Sequence, residues 1–169
     1  LCSTQRPIVL LKKQPGLALL PEQLAPGNRR LGVMLPYTPL HYLLIEGFRA
    51  LVMTSGNVSD EPIVYEDAEL VQRLSGIADG FLTHNRAIVR RCDDSVLLWA
   101  AGGSRMLRRS RGYAPQALPF LDCGHNILAC GGEQKNVFCL VRGSQAFLSA
   151  HIGDLDNPAT LNCYDEQIA

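Results

Sequence analysis

Excess charge of either sign is missing from this 169-residue sequence, whose 16 Lys and Arg balance 16 Asp and Glu. Without an overall field nothing draws the chain as a whole to nucleic acid or to an anionic surface, so no nucleic-acid partner is expected and any anion site must be local. Long apolar runs are missing too: Ile8–Leu11 and Leu43–Ile45 fall far short of the roughly 20 residues of a membrane-crossing helix, and no membrane partner is expected. The six cysteines (Cys2, Cys92, Cys123, Cys130, Cys139, Cys163) contain no C-x-x-C pair, the spacing that pre-places two zinc ligands, and no metal site is expected. Cys130 and Cys139 lie in apolar runs and read as reduced core thiols, which implies a reducing, cytoplasmic compartment. The opening Leu1-Cys-Ser-Thr4 has no initiator Met, basic n-region or apolar h-region, so it reads neither as a signal peptide nor as a natural start, and preceding sequence is expected to have been removed.

What is present is 47% hydrophobic, enough for one core or parts of two, since domains commonly run about 100 to 150 residues. Arg6-Pro-Ile-Val-Leu-Leu-Lys12 reads as a short buried strand closed by a Gln14-Pro-Gly16 turn, and Leu31–Leu35 as a second strand. Thr38 and Pro39 form an N-cap and first turn for a helix running through His41, Leu44 and Phe48. Ala50-Leu-Val-Met53 reads as a third strand, and Asp67–Leu74 as a helix ended by Gly76. Residues 88–99 read as two short strands or one bulged strand; Gly102-Gly103 marks a turn before a return strand at Met106–Arg109. Two prolines and a glycine in Ala114–His125 leave no period, which makes this the expected domain boundary. Beyond it, 126–130, 136–142 and 145–151 read as a meander opening a new domain that leans on further sequence for stability.

The polar loop Thr54-Ser-Gly-Asn57 ends the third strand, and its hydroxyls, amide and glycine suit close approach to an anion or ribose. The plainer alternative, a turn in which Asn57 and Ser59 bond their own backbone, weighs equally. Six arginines between residues 90 and 111 make a local positive zone, in which Arg111 beside Gly112 is the one favoured for a phosphate. Asp93-Asp94-Ser95 either orients Mg²⁺ through water or, as the default, pairs with arginine. His84 beside Asn85-Arg86 is an acid/base candidate, with a structural role as its alternative. Gly131-Gly-Glu-Gln-Lys-Asn136 sits between two strands and is not a P-loop, because no Ser or Thr follows its lysine.

In order along the chain, Arg6-Pro-Ile-Val-Leu-Leu11, Leu35-Pro-Tyr-Thr-Pro-Leu-His-Tyr-Leu-Leu44, Thr54-Ser-Gly-Asn57, His84-Asn-Arg86, Asp93-Asp-Ser-Val96 and Arg109-Ser-Arg-Gly-Tyr-Ala-Pro115 closely resemble the YrdC-like domain of the HypF family of hydrogenase-maturation carbamoyltransferases. Gly131–Asn136 and Leu148-Ser-Ala-His-Ile-Gly-Asp-Leu155 resemble the opening of that family's next domain, an actin-like, ribonuclease H-like fold. The resemblance implies an α/β fold: the C-terminal portion of a YrdC-like twisted mixed sheet with helices over 1–120, then the first strands of the actin-like domain over 121–169.

It further implies use of ATP with Mg²⁺ and carbamoyl phosphate to form carbamoyl adenylate, and carbamoyl transfer to the C-terminal cysteine of a HypE-type acceptor. Carried over by position, it makes Ser55, Asn57, Ser95 and Arg111 nucleotide or carbamoyl contacts, Asp94 and His84 catalytic, and Lys135 with Asn136 part of the second domain's nucleotide site. The family's Lys-x-Arg-Pro motif, zinc fingers, acylphosphatase domain and histidine metal motif are absent from this sequence. Zinc is therefore expected only elsewhere in a parent protein, and the segment alone is expected to be inactive. The rival readings are a YrdC-type threonylcarbamoyl-adenylate synthase acting in tRNA modification and a noncatalytic phosphate- or partner-binding module.

Overall fold

The computed structural model describes residues 1–14, 21–59 and 61–169, so the expected turn at Pro15 and Gly16 lies outside the described residues. The chain forms two compact units, Leu1–Val52 with Asp94–Tyr113 and Met53–Asp93 with Ala114–Ala169. No helix of the described residues is long and apolar enough to cross a membrane.

In the first unit β1 (Ile8–Lys12), β2 (Arg30–Val33), β3 (Val96–Ala100) and β4 (Gly103–Arg108) form a sheet in the order β2-β1-β3-β4. β1 runs parallel to β3 and antiparallel to β2, and β3 pairs antiparallel with β4, so the sheet is mixed, as expected. β1 and β3 are the inner pair, which explains why their sequences are unbroken apolar runs. A register shift falls between Val96 and Leu97, but residues 88–93 form no strand, so the two strands or one bulged strand expected over 88–99 are replaced by β3 alone. The tight turn falls one residue earlier than expected, on Ala101 and Gly102, with φ of +52° and +75°, two left-handed residues that match the twist of a two-residue hairpin. The first helix, α1 (Pro39–Ile45), is capped by Thr38, whose side chain accepts from the His41 N–H. It stops short of Phe48.

The second unit contains α2 (Asp67–Leu74), β5 (Leu118–Pro119), β6 (Ile127–Ala129), β7 (Cys139–Arg142), β8 (Gln145–Leu148) and α3 (Pro158–Ile168). Its strands pair antiparallel in the order β5-β8-β7-β6, with Gly143 at φ +56° opening the β7–β8 turn. α2 matches its expected limits, and Arg73 locks it by bonding Glu69 one turn back and Glu61 in the preceding loop. Those two carboxylates, Glu61 foremost, hold the Arg73 pKa above its ordinary value.

Three further expectations are corrected. Ala50-Leu-Val-Met53 is no strand: Val52 and Met53 are exposed, because an apolar run becomes a strand only where a neighbour completes its hydrogen-bond ladder. Gly76 does not adopt the left-handed cap conformation, and the chain leaves α2 through Ser75 in right-handed helical geometry. Cys130 is exposed and Cys139 half-buried, whereas Cys163 is the buried thiol; no disulfide joins any of the six.

Candidate functional site

Three of the expected site residues, Asp94, Ser95 and Arg111, meet in the first unit where β3 begins and β4 has ended. The Ser95 side chain is fully buried. Its hydroxyl donates to the Arg111 carbonyl at 2.9 Å and accepts the Ser110 N–H at 2.8 Å, while its backbone carbonyl accepts the Ile8 N–H at 2.9 Å. Asp94 and Arg111 form a parallel bridge alongside. A serine fits here because one small hydroxyl can both donate to one buried backbone group and accept from another.

The Arg111 guanidinium is held on several sides. Nε donates to Asp94 Oδ1 at 2.6 Å, and the two terminal nitrogens donate to the carbonyls of Gln5 and Arg6 at 3.0 and 2.8 Å. Its central carbon lies 3.5 Å from the centroid of the Tyr37 ring, within stacking reach. The chain before β1 reaches the guanidinium through an uncommon backbone: Arg6 has φ +44°, and Gly112 has φ +83° with room for no Cβ, which would sit 2.9 Å from Gln5 Cβ and 3.0 Å from its Cα. Arginine pairing, the default expected for the acidic pair, is what Asp94 does. Neighbouring Arg109 donates to the Tyr113 carbonyl at 2.6 Å, and burial lowers its pKa.

The remaining candidates lie in the second unit. Ser55 is exposed. Asn57 donates its amide to the carbonyls of Val58 and Glu61 at 2.9 and 3.0 Å, so this part of the loop is the self-bonded turn weighed as the plainer alternative, with the amide oxygen uncommitted. His84 is exposed and accepts the Arg86 N–H at 3.3 Å through Nδ1. Lys135, at φ +51°, bonds Asp154 twice, from its backbone N–H at 2.6 Å and its ammonium at 2.7 Å. The Lys135 ammonium and N–H hold the Asp154 carboxyl below its ordinary range.

Asn136 is 1% exposed. Its amide nitrogen donates to the carbonyls of Cys130 and Gly132 at 3.0 and 2.6 Å, and its backbone pairs with Gly153 and Ile152. Its amide oxygen is buried without a partner. Gly131, at φ +76°, leaves no room for a Cβ, which would overlap the Val137 carbonyl and crowd the Asn136 amide, so the Gly131–Asn136 turn is a closed backbone knot.

Residue-level reading missed Tyr37 and the carbonyls of Gln5 and Arg6, which reach Arg111 from positions more than 70 residues away in the chain. No local spacing signals such a contact. For Ser95 the structure makes a direct claim: Ser95→Ala leaves the buried Ser110 N–H without this acceptor and is expected to lower local stability by about 1–3 kcal/mol. Faster hydrogen exchange at the Ser110 amide reads that loss, and unchanged exchange would contradict it.

Two profiles define the class. Residues 2–110 match the Sua5/YciO/YrdC family, described as "Telomere recombination", and residues 122–169 match the HypF Kae1-like domain. The chain thus carries a YrdC-type segment followed by a HypF Kae1-like one. It belongs to the Sua5/YciO/YrdC family, and along its whole length it is similar to proteins named as HypF carbamoyltransferases. It is 46% identical over 187 aligned residues to carbamoyltransferase HypF2 of Cupriavidus necator, an alignment covering 100% of this chain and 23% of that protein. To carbamoyltransferase HypF of Synechocystis sp. it is 46% identical, over 99% of this chain and 22% of the relative. The crystal structure of full-length HypF in its phosphate- and nucleotide-bound form superposes with a TM-score of 0.92 at 52% identity, over 99% of this chain and 27% of that one. The HypF structure from T. kodakarensis gives 0.90 at 37% identity, over 97% and 22%. The chain spans less than a quarter of the length of these curated relatives.

Proposed function

We propose that this chain is part of an enzyme that makes carbamoyl adenylate from carbamoyl phosphate and ATP and passes the carbamoyl group to the C-terminal cysteine of a HypE-type acceptor, toward the cyanide ligand of nickel-iron hydrogenase. The observation that carries this reading is 41–47% identity across 94–100% of the chain to proteins named as HypF carbamoyltransferases. A relative solved with phosphate and nucleotide bound supports it. The cytoplasm is the proposed compartment. A domain division at residue 120 is supported by one family match ending at 110 and the other starting at 122.

In the proposed reaction water first cleaves carbamoyl phosphate to carbamate and phosphate; a carbamate oxygen then attacks the α-phosphorus of ATP and pyrophosphate leaves, a step that needs fixed positive charge at the phosphates and a held nucleophile. Arg111 is assigned the phosphate contact: three of its five N–H groups are spent on Asp94, Gln5 and Arg6, leaving one on each terminal nitrogen for an anionic oxygen. Asp94 orients Arg111. Ser95, bonded on both sides, serves by fixing the Ser110–Arg111 backbone. Ser55 and the Asn57 amide oxygen are assigned to the nucleotide or carbamoyl group, and the His84 Nε2 to proton exchange. Lys135 and Asn136 are assigned to the nucleotide site of the second domain.

Asp94 Oδ1 is bonded to Arg111, which leaves Oδ2 as its oxygen open to a water of an Mg²⁺ shell. Among the described residues no group of three or more His, Cys, Asp or Glu gathers to hold a metal ion. Mg²⁺ is therefore assigned to the triphosphate and water, and zinc to other parts of a parent protein.

The complete parent protein is expected to release pyrophosphate from ATP only when carbamoyl phosphate is supplied, and this segment alone to release none. Release driven instead by threonine and bicarbonate would favour threonylcarbamoyl-adenylate synthesis. Nucleotide binding without release under either condition would leave a binding module.

A further inference from the structure

The Tyr37 ring sits under the guanidinium of Arg111 at 3.5 Å, at the start of a structure built to hold it there. Tyr37 lies just before the Thr38 cap of α1, and its backbone N–H reaches the His41 Nδ1 at 3.5 Å. The His41 ring meets the Tyr37 ring edge-on, with centroids 4.4 Å apart and planes at 87°. The first turn of α1 therefore limits the rotation of the phenol ring. Asp94 and the Gln5 and Arg6 carbonyls bond the guanidinium through its nitrogens, while the ring contacts its flat side. Hydrogen bonds fix where a planar cation lies; a stacked ring fixes how it is tilted.

We propose that Tyr37 is a positioning residue for Arg111, a stacking platform that keeps the two uncommitted guanidinium N–H groups aimed at an anionic oxygen of the bound nucleotide. This rests on the assignment of Arg111 to the phosphates made above. Arginine loses several rotatable bonds of freedom when it grips a phosphate, and a side chain already held in the gripping geometry loses less of it on binding. Arg111 has 20% of its side-chain surface exposed, so it is reachable while most of its freedom is already gone.

The test is a double-mutant cycle in the complete parent protein, with ATP binding followed by calorimetry well below the melting temperature. Tyr37→Leu keeps bulk but removes the π face, and is expected to weaken ATP binding about three- to ten-fold. Tyr37→Phe keeps the ring and stays within about two-fold of the parent. Arg111→Lys keeps the charge but loses the planar fork; in that background Tyr37→Leu adds less than about two-fold, because the platform has nothing left to orient. Thermal unfolding in parallel separates orientation from simple loss of fold, since a purely structural tyrosine lowers the melting temperature while leaving ATP affinity and its coupling to Arg111 unmoved. Additive effects of Tyr37→Leu and Arg111→Lys, or an unchanged affinity in Tyr37→Leu, would overturn the positioning role. If Arg111→Lys itself leaves ATP binding untouched, the phosphate assignment falls first and takes this inference with it; weakening by Arg111→Lys without weakening by Tyr37→Leu sinks the positioning role alone.

Discussion

Asn136→Asp is expected to destabilise the Gly131–Asn136 turn by about 3–5 kcal/mol at pH 7. The substitution exchanges one NH₂ for one oxygen. That NH₂ donates to the carbonyls of Cys130 and Gly132 at 3.0 and 2.6 Å, so the new oxygen would face two carbonyl oxygens at contact distance. The site is 1% exposed, and water cannot soften the repulsion. The existing amide oxygen already lacks a partner, so the wild-type turn tolerates one unsatisfied acceptor only because the nitrogen bonds twice. An ionised carboxylate removes that compensation.

The pH dependence follows in sign. Burial among carbonyls raises the pKa of the new Asp above its unfolded value of about 3.9. The unfolded chain then gives up its proton first as pH rises, and the penalty grows from about pH 4 until the folded group also ionises. Near pH 3 the neutral acid can donate to one carbonyl, and most of the deficit disappears. Protection of the Ile152 amide, which donates to the Asn136 carbonyl at 3.0 Å, reports the local opening free energy. Equal protection in variant and parent at pH 7 would mean that the turn is open to water and the argument is wrong.

Arg111→Ala is the second large effect, and it shows in two measurements. Local stability around β1 and β3 is expected to fall by about 2–4 kcal/mol, since Asp94 loses its ion-pair partner in a part-buried position and the Gln5 and Arg6 carbonyls lose their donors. ATP binding by the complete parent protein is expected to weaken about thirty-fold or more, consistent with losing a two-pronged charge-assisted contact. Arg105, exposed on β4, provides the control: Arg105→Ala removes the same charge without a partner network and is expected to change affinity by less than about three-fold. Equal losses from the two variants would reduce the arginine cluster to general charge.

The parts legible in the sequence share a feature. β1 and β2, the Thr38-capped start of α1, the whole of α2 and the β6–β8 meander announce themselves through neighbours in the chain: apolar period, a capping hydroxyl, a turn glycine. α3 was not anticipated although Asn157 caps it by accepting the Ala159 N–H and Pro158 occupies its first turn. Its buried face is Thr160 and Cys163, too weakly apolar to show a period. The two-residue strand β5 hides in the proline-bearing stretch that reads as a boundary, because it exists only through its pairing with β8.

The candidate site divides the same way. The motif around Asp94 and Ser95 falls within the family match over residues 2–110, and the pairing of Asp94 with an arginine was the default on chemistry alone. That Arg111 is the partner, that the carbonyls of Gln5 and Arg6 hold it, and that Tyr37 lies beneath it depend on segments brought together across the chain.

By itself, then, the sequence determined which residues carry charge, which runs are apolar, where helices are capped and which family the ordered motifs resemble, because each is a property of adjacent residues. Only the tertiary structure decided that Ala50–Met53 stays outside a sheet, that the Asn136 amide closes a backbone knot, and that one guanidinium is held between an acid, two carbonyls and a ring. Pairing, burial and stacking each need a partner supplied from elsewhere in the chain, and no local pattern encodes that partner.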